Sequence, residues 1–490
     1  MVNPVLLLAV PLGLAFLVPL LGLFMKRTMA LVPILVCLFN LILALMLLPD
    51  VMNGAEVVEI GGFPAPFCIN LYAGPAGVMF AALIALAGLG ASIYSIAYIR
   101  SGSVARYHVM FLLLLTGATG VVMTGDLFNL FVFFEILCIS SYGLVGYFGD
   151  RNGLEAATKY LIQGSIGSGL LLMGIGLLYG MFGTLNIAQI ASSIGSVGGT
   201  GVFVPMALIV SGLGVEAAIF PLNAWLPDAH SSAPSPISAI LSGIAIEVGL
   251  FAVARMVFTM FGAGSFLVFL LLLGVLTLLL GELCAYSQRD VKRMLAYSSI
   301  GQIGLVLFAI SIASTGAVTG GLFQLLNHTL GKALLFLAAG YMIYRSGSRE
   351  VSSLSGMGRR MPVTSLAFTV GAFSIVGLPP FAGFPSKLLI ATSVMEQGRT
   401  LLSVMLGLVL VGTLIEGAYF FRVVQTIYFR RPPEGVAVRE RAPVMALVPM
   451  ILFAALIILI GVYPDPFVRT IGAAADELLD RAIYIGSVLR

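Results

Sequence analysis

Phe323-Gln324-Leu325-Leu326-Asn327-His328-Thr329-Leu330-Gly331-Lys332-Ala333-Leu334-Leu335-Phe336-Leu337 lies inside an apolar run over 317–345. A run of that length crosses hydrocarbon as a helix, which takes roughly 20 residues. His328 and Lys332 are four apart, so they share one helix face. A charged group at mid-bilayer costs roughly 2.5–3.5 kcal/mol on insertion scales. A lone histidine on an apolar helix is more often a packing residue. With a lysine one turn away, the pair suits a proton relay, and the stretch reads as a membrane helix built around ionisable groups.

The rest of the chain repeats this pattern. Of its 490 residues, 60% are hydrophobic and 9% charged, whereas water-soluble chains run about 25% charged. The runs are continuous, unlike the alternating segments of a membrane β-barrel. About fourteen helical spans are expected, near 5–24, 29–49, 75–98, 107–124, 126–147, 155–183, 201–222, 237–259, 265–287, 294–313, 317–345, 362–394, 403–427 and 444–463. The first lacks a basic leader and is expected to be retained. Residues 465–490 read as an amphipathic surface helix. The fold class is therefore an all-α polytopic membrane protein.

Basic residues fall in alternate loops, among them Lys26, Arg27, Arg100, Arg106, Lys292, Arg293, Arg359, Arg360, Arg439 and Arg441, while the 50–74 loop is acidic. The basic side should be cytoplasmic, which puts both termini outside. The four cysteines are scattered without ligand spacing, and no Gly-rich nucleotide loop follows a strand, so no cofactor and no resident metal is expected. Nothing points to a nucleic-acid partner or to a catalytic residue.

Charges inside the spans are few: Lys159, Lys332 and Lys387, with Glu135, Glu216, Glu247 and Glu416. Static buried ion pairs, or side chains reaching the interface, would account for some, and Lys159 near a span start is the first candidate for that. The functional reading is a hydrated chain of titratable groups, since burial moves acids and bases alike toward neutrality and lets them exchange protons. Glu416 lies near Arg422, so a structural pair there is a competing reading.

Two segments break the helical pattern at membrane depth. One is Phe220-Pro221-Leu222-Asn223-Ala224-Trp225-Leu226-Pro227-Asp228, and the other runs from Gly377 through Pro379 and Pro380 to Lys387. Proline frees carbonyls that lipid cannot satisfy, so such breaks line cavities and mark ion sites. The gaps Lys159–Glu216–Glu247 and Lys332–Lys387–Glu416 are similar. They suggest two five-helix units, 107–260 and 265–428, the second inverted, flanked by a three-helix segment 1–106 and a last helix with its amphipathic tail, 429–490.

Five motifs carry a family resemblance: Phe131-Val132-Phe133-Phe134-Glu135; Glu155-Ala156-Ala157-Thr158-Lys159-Tyr160-Leu161; Phe220 to His230 with Ala233-Pro234-Ser235-Pro236; Asp290-Val291-Lys292-Arg293-Met294-Leu295-Ala296-Tyr297-Ser298; and Gly377 to Lys387. Together they resemble the antiporter-like subunits of complex I, of Mrp-type cation/proton antiporters and of membrane-bound hydrogenase or sulfur reductase complexes. The Asn129-to-Glu135 run and the short C-terminus look closer to the Mrp and hydrogenase type.

The resemblance implies a proton- or sodium-translocating subunit in a prokaryotic cytoplasmic membrane. Its partners would be other antiporter-like subunits and a redox arm, and it would carry no redox centre of its own. It implies that Glu135, His328, Lys332 and Lys387 belong to the relay. Glu216 and Glu247 depart from it, standing where the family usually has basic residues. Three readings of the first unit follow: sodium bound by Glu135 and Glu216, proton transfer through acids in place of bases, or a structural spacer. A standalone secondary cation/proton antiporter is the competing function.

Overall fold

A computed structural model describes residues 3–24, 29–197, 201–262, 264, 266–431 and 443–489. Helices α1 (Leu6–Phe24) and α2 (Val32–Val51) lead to a two-stranded antiparallel hairpin, β1 (Glu56–Ile60) and β2 (Ile69–Ala73), in which Glu56 pairs with Ala73. The acidic loop is therefore a folded element. Next come α3 (Pro75–Tyr98), α4 (Val104–Met123), α5 (Leu127–Val145), α6 (Arg151–Phe182), α7 (Ile187–Ser193) and α8 (Phe203–Glu216). An irregular turn leads into α9 (Leu226–Ser232), α10 (Ser235–Ile240) and α11 (Ile246–Arg255), with π-helical turns at Leu241–Ala245 and Met256–Phe261.

The chain continues through α12 (Phe266–Tyr286), α13 (Val291–Ser311), α14 (Thr315–Ser346), α15 (Met357–Arg360), α16 (Pro362–Val376), α17 (Gly383–Gln397), α18 (Thr400–Phe429) and α19 (Val444–Val462), and ends in α20 (Asp465–Leu479) and α21 (Arg481–Val488). Among the described residues, 11 helices are long and apolar enough to span a membrane. Three shorter apolar helices, Leu6–Gly22, Phe203–Glu216 and Pro362–Val376, lie in the segments where spans are expected. Lys26, Arg27, Arg439 and Arg441 lie outside the described residues.

The caps are written locally. Asp126 opens α5 by accepting the Asn129 N–H at 2.8 Å, and Asp290 opens α13 by accepting the Arg293 N–H at 3.0 Å. Gly183 and Gly347 close α6 and α14 with positive φ, a conformation glycine adopts without steric cost. The same backbone bonds recur around these helices. Leu127 and Ile187 donate to Leu185 and Gly125; Val291 and Val351 donate to Arg349 and Arg289, each number shifted by one constant interval. Helices α6 and α14 are both 32 residues long. In this register Ser168, not Lys159, holds the place on α6 that Lys332 holds on α14, which corrects the correspondence drawn from the charge gaps.

Packing is close where small residues meet. A Cβ on Gly304 of α13 would collide with the Leu278 backbone nitrogen of α12, so no larger residue fits that contact. Helix α20 is amphipathic as expected. Its apolar face (Ile471, Ala474, Ala475, Leu478) is buried against α3 and α14 of the same chain, so that face is covered by protein.

Candidate functional site

Both breaks are present, and their freed backbone groups find side-chain partners. Helix α8 ends at Glu216 and is followed by a positive-φ residue, Ala218. Through this turn the Trp225 indole N–H donates to the Val215 carbonyl at 2.8 Å, Gln163 donates to the Leu222 carbonyl at 2.7 Å, and the Phe220 N–H donates to Thr277 at 3.2 Å. Pro221 lies in this turn. Pro227 does not break anything: it sits in the first turn of α9, where proline suits a helix start. The second break falls between α16 and α17 and contains Pro379 and Pro380. Lys387, one turn into α17, reaches back to the Val376 carbonyl at 3.0 Å.

The second set of helices assembles a mixed polar network. The Lys387 ammonium lies 2.7 Å from Glu416 Oε2, and the other Glu416 oxygen accepts from Gln302 at 2.5 Å. Gln302 accepts in turn from Gln324 at 2.5 Å, and Ser386 donates to Gln324. Lys332, with no exposed surface, donates to Ser298 Oγ at 2.6 Å and to the Leu295 carbonyl at 3.1 Å, and it feels the charges of Glu416 and Glu282. Glu282 is itself buried and accepts from Tyr419 at 2.8 Å. Glu416 is thus tied to α17 and α13. The expected partner Arg422 instead donates to the Tyr286 carbonyl at 2.9 Å and lies over the Tyr286 ring.

A buried contact between two ionisable groups joins the two sets. Glu247, on α11 just after a π-turn, holds His328 Nδ1 at 2.6 Å through Oε1 and accepts from Thr329 at 2.6 Å through Oε2. His328 Nε2 is buried without a hydrogen-bond partner. A π-bulge re-aims the residues that follow it, and such bulges are frequent at functional sites.

The first set is built differently. Glu216 is buried, and both oxygens are taken by neutral donors: the Tyr160 hydroxyl at 2.7 Å and the Cys138 thiol at 3.4 Å. Glu135, one turn before Cys138 on α5, has a buried Oε1 with no partner. The two acids therefore flank Cys138. Tyr160 stacks on Trp225 at 3.7 Å between ring centroids, and Trp225 meets His230 edge-on at 5.9 Å.

Lys159 stands apart from this group, with its side chain 49% exposed and paired to Glu155 at 2.8 Å and Asp228 at 2.9 Å; Arg293 shares Asp228 at 2.7 Å. These residues line a polar cavity of about 410 Å³ at the start of α6. It is an open cavity, apart from the buried groups.

Several functional groups escaped the sequence reading. Glu282 is an acid in an otherwise apolar run, and that signal was available. So was the presence of amides, Gln302 and Gln324, on apolar helices. Lys292, read as a loop cation, is buried and donates to the Ala233 carbonyl at 2.6 Å. Tyr160, Cys138 and Tyr419 had no signal, because such residues are ordinary in membrane helices.

Comparison with known proteins places this geometry. Residues 124–415 match the family described as NADH:quinone oxidoreductase/Mrp antiporter, transmembrane. An NADH-quinone oxidoreductase subunit of Desulforudis audaxviator is 34% identical over 84% of this chain and 85% of its own length. A Na(+)/H(+) antiporter subunit of Alkalihalophilus pseudofirmus is 32% identical over 92% of each. A chain of the membrane-bound sulfane sulfur reductase, an archaeal respiratory membrane complex, superposes with a TM-score of 0.93 at 38% identity, covering 99% of both chains. The chain, a multi-pass membrane protein with buried ionisable groups at two helix breaks, belongs to the NADH:quinone oxidoreductase/Mrp antiporter membrane family.

Proposed function

We propose that this chain is an ion-translocating subunit of a multisubunit redox-driven or Mrp-type membrane complex, and that it relays protons through Glu247, His328, Lys332, Glu282, Glu416 and Lys387. The observation that carries the reading is the 2.6 Å contact between Glu247 and His328, which links the helices around the first break to the polar network of the second. Across that distance one proton can be held by either group. Lys332, one turn from His328, takes the charge next, with the acids Glu282 and Glu416 within its field. Lys387 and Glu416 form the terminal pair, where a change of charge on one changes the proton affinity of the other. Each elementary charge moved against about 100 mV requires about 2.3 kcal/mol, which a redox or ion-gradient partner must supply.

Subunit names recur among the relatives, and this favours a part of an assembly over a standalone antiporter. The two expected helix repeats, the second inverted, are supported by the recurring backbone bonds around α6 and α14. In the first set, Glu135, Cys138 and Glu216 serve as acids in place of bases. Both Glu216 oxygens meet neutral donors, an arrangement that suits a carboxyl exchanging a proton, so proton transfer is the reading favoured there over a sodium ion shared by Glu135 and Glu216. The basic loops favour a cytoplasmic side for the cavity at Lys159, Asp228 and Arg293 and an outer side for both termini.

The test is Glu247→Gln in the assembled complex reconstituted in vesicles. The amide keeps the shape but cannot ionise. Proton flux should fall at least about a hundredfold, the size of step that a positioned proton-transfer group supplies, with subunit content unchanged. Wild-type flux in that variant overturns the relay.

A further inference from the structure

A second group of ionisable side chains lies outside the relay. Arg255 ends α11, two turns beyond Glu247, and is 4% exposed. Its guanidinium lies 5.6 Å from the Tyr72 ring centroid and 5.5 Å from that of Tyr484. One Nη donates to the Val122 carbonyl at 3.3 Å; the other, Nη2, is buried without a partner, as are the Tyr72 and Tyr484 hydroxyls. Glu477 of α20 is half-buried in the same group, accepting the Ala76 N–H at 2.8 Å, and desolvation pushes its carboxyl above the usual range. Asp126 is near enough to act electrostatically on Tyr484. The Tyr72 hydroxyl faces Glu477 and the Tyr484 hydroxyl faces the Arg255 guanidinium, without a direct hydrogen bond in either pair, and an unpaired buried polar group costs about 1–3 kcal/mol. Buried groups of this kind are normally met by water.

Asp126 also lines a cavity of about 460 Å³ of mixed character, with Gln189 and Thr184 beside Phe67 and Phe182. It lies at the end of α6, whereas the Lys159–Asp228–Arg293 cavity lies at the start of the same helix. A helix of 32 residues is about 48 Å long at 1.5 Å per residue. The two cavities therefore open on opposite faces of the membrane. Arg255 and Glu247 share α11, roughly 12 Å apart along its axis by the same rise. The cluster thus stands between the relay and the second cavity.

We propose that Arg255, Tyr72, Tyr484 and Glu477, with Asp126 at the rim, form the second mouth of the pathway, through which protons carried by water pass between Glu247 and the face opposite Lys159. The inference rests on the relay proposed above. Arg255 acts as a fixed cation that keeps excess positive charge from resting at the throat. Glu477 and Asp126 are the exchangeable acids, and the tyrosine hydroxyls orient the water between them.

The variants Glu477→Gln and Asp126→Asn test this. A glutamine oxygen still accepts the Ala76 N–H, and asparagine caps a helix as well as aspartate. In the assembled complex in vesicles, each should lower proton flux severalfold, with subunit content and thermal midpoint at wild-type values. Wild-type flux in both, while Glu247→Gln abolishes flux, overturns the second mouth and leaves the relay standing. Wild-type flux in all three overturns both. A fall in flux accompanied by loss of α20 docking, read as a lowered thermal midpoint in Glu477→Gln and Asp126→Asn alike, also overturns it, because the cluster would then be a staple for the C-terminal helices.

Discussion

The two helix breaks solve the same problem with opposite chemistry. At the second, the lysine on the helix that restarts satisfies a freed carbonyl and pairs with an acid, Lys387 to Val376 and Glu416. At the first, neutral groups (Trp225, Gln163 and Thr277) satisfy the backbone, and the acid Glu216 meets only a phenol and a thiol. A buried charge with a counter-charge responds to every change in its partner. A buried acid held by neutral donors, with Glu135 as its charged neighbour, responds to the protons of that acid pair. On the proposed relay, the second break would transmit charge and the first would hold or release a proton. Glu247, where the two regions meet, belongs to the helices of the first and is bonded to the histidine of the second.

The largest expected effect comes from breaking the charged side of this comparison. Lys387→Met removes the cation and leaves Glu416, 1% exposed, facing Gln302 alone. Removing one partner of a buried pair destabilises by about 3–5 kcal/mol. The variant should show a lower thermal midpoint and no proton flux above leak in vesicles. A stable variant with full flux would mean that the pair is neither structural nor part of the route.

An intermediate effect is expected at the first break. In Glu216→Gln the amide oxygen still accepts from Tyr160, so the loss of stability should not exceed about 1–3 kcal/mol, the cost of one poorly matched buried polar group. Ion coupling measured in the assembled complex should fall, but less than for Lys387→Met. Unchanged coupling would make the first set of helices a spacer and confine transport to the second.

Much of this contrast was legible in the amino-acid sequence. Apolar run length set the spans, because only a helix crosses lipid with its backbone satisfied, and α14 falls where its run predicted. His328, Lys332 and Lys387 stood out because a charge in such a run needs a reason. What could not be read was pairing across helices. Glu247 with His328 and Glu416 with Lys387 are separated by 81 and 29 residues, and one sequence carries no signal for which faces meet. For Glu416 the sequence left a pair with Arg422 beside a relay role, because the two are close along the chain, and the structure pairs it with Lys387 instead. Lys292 was read as a loop cation because it adjoins Arg293, yet α13 begins one residue earlier and turns the lysine inward.

Lys159 gives the smallest effect and the sharpest control. Counted among the charges within the spans, it was also the first candidate to reach the interface, and it does so from the first third of α6, where a long side chain can reach the polar rim. Its partners Glu155 and Asp228 are 57% and 22% exposed, and Arg293 holds Asp228 at 2.7 Å without it. Exposed pairs of this kind contribute little, because solvent screens them and two long side chains must be held still. Lys159→Ala should leave the thermal midpoint where it is and proton flux near wild type, while weakening the salt dependence of uptake at that cavity. Were flux to collapse as it does for Lys387→Met, the lysine of the cavity and the lysine of the break would be doing the same job. The division between a charged second break and a neutral first one would then no longer describe how the protein moves ions.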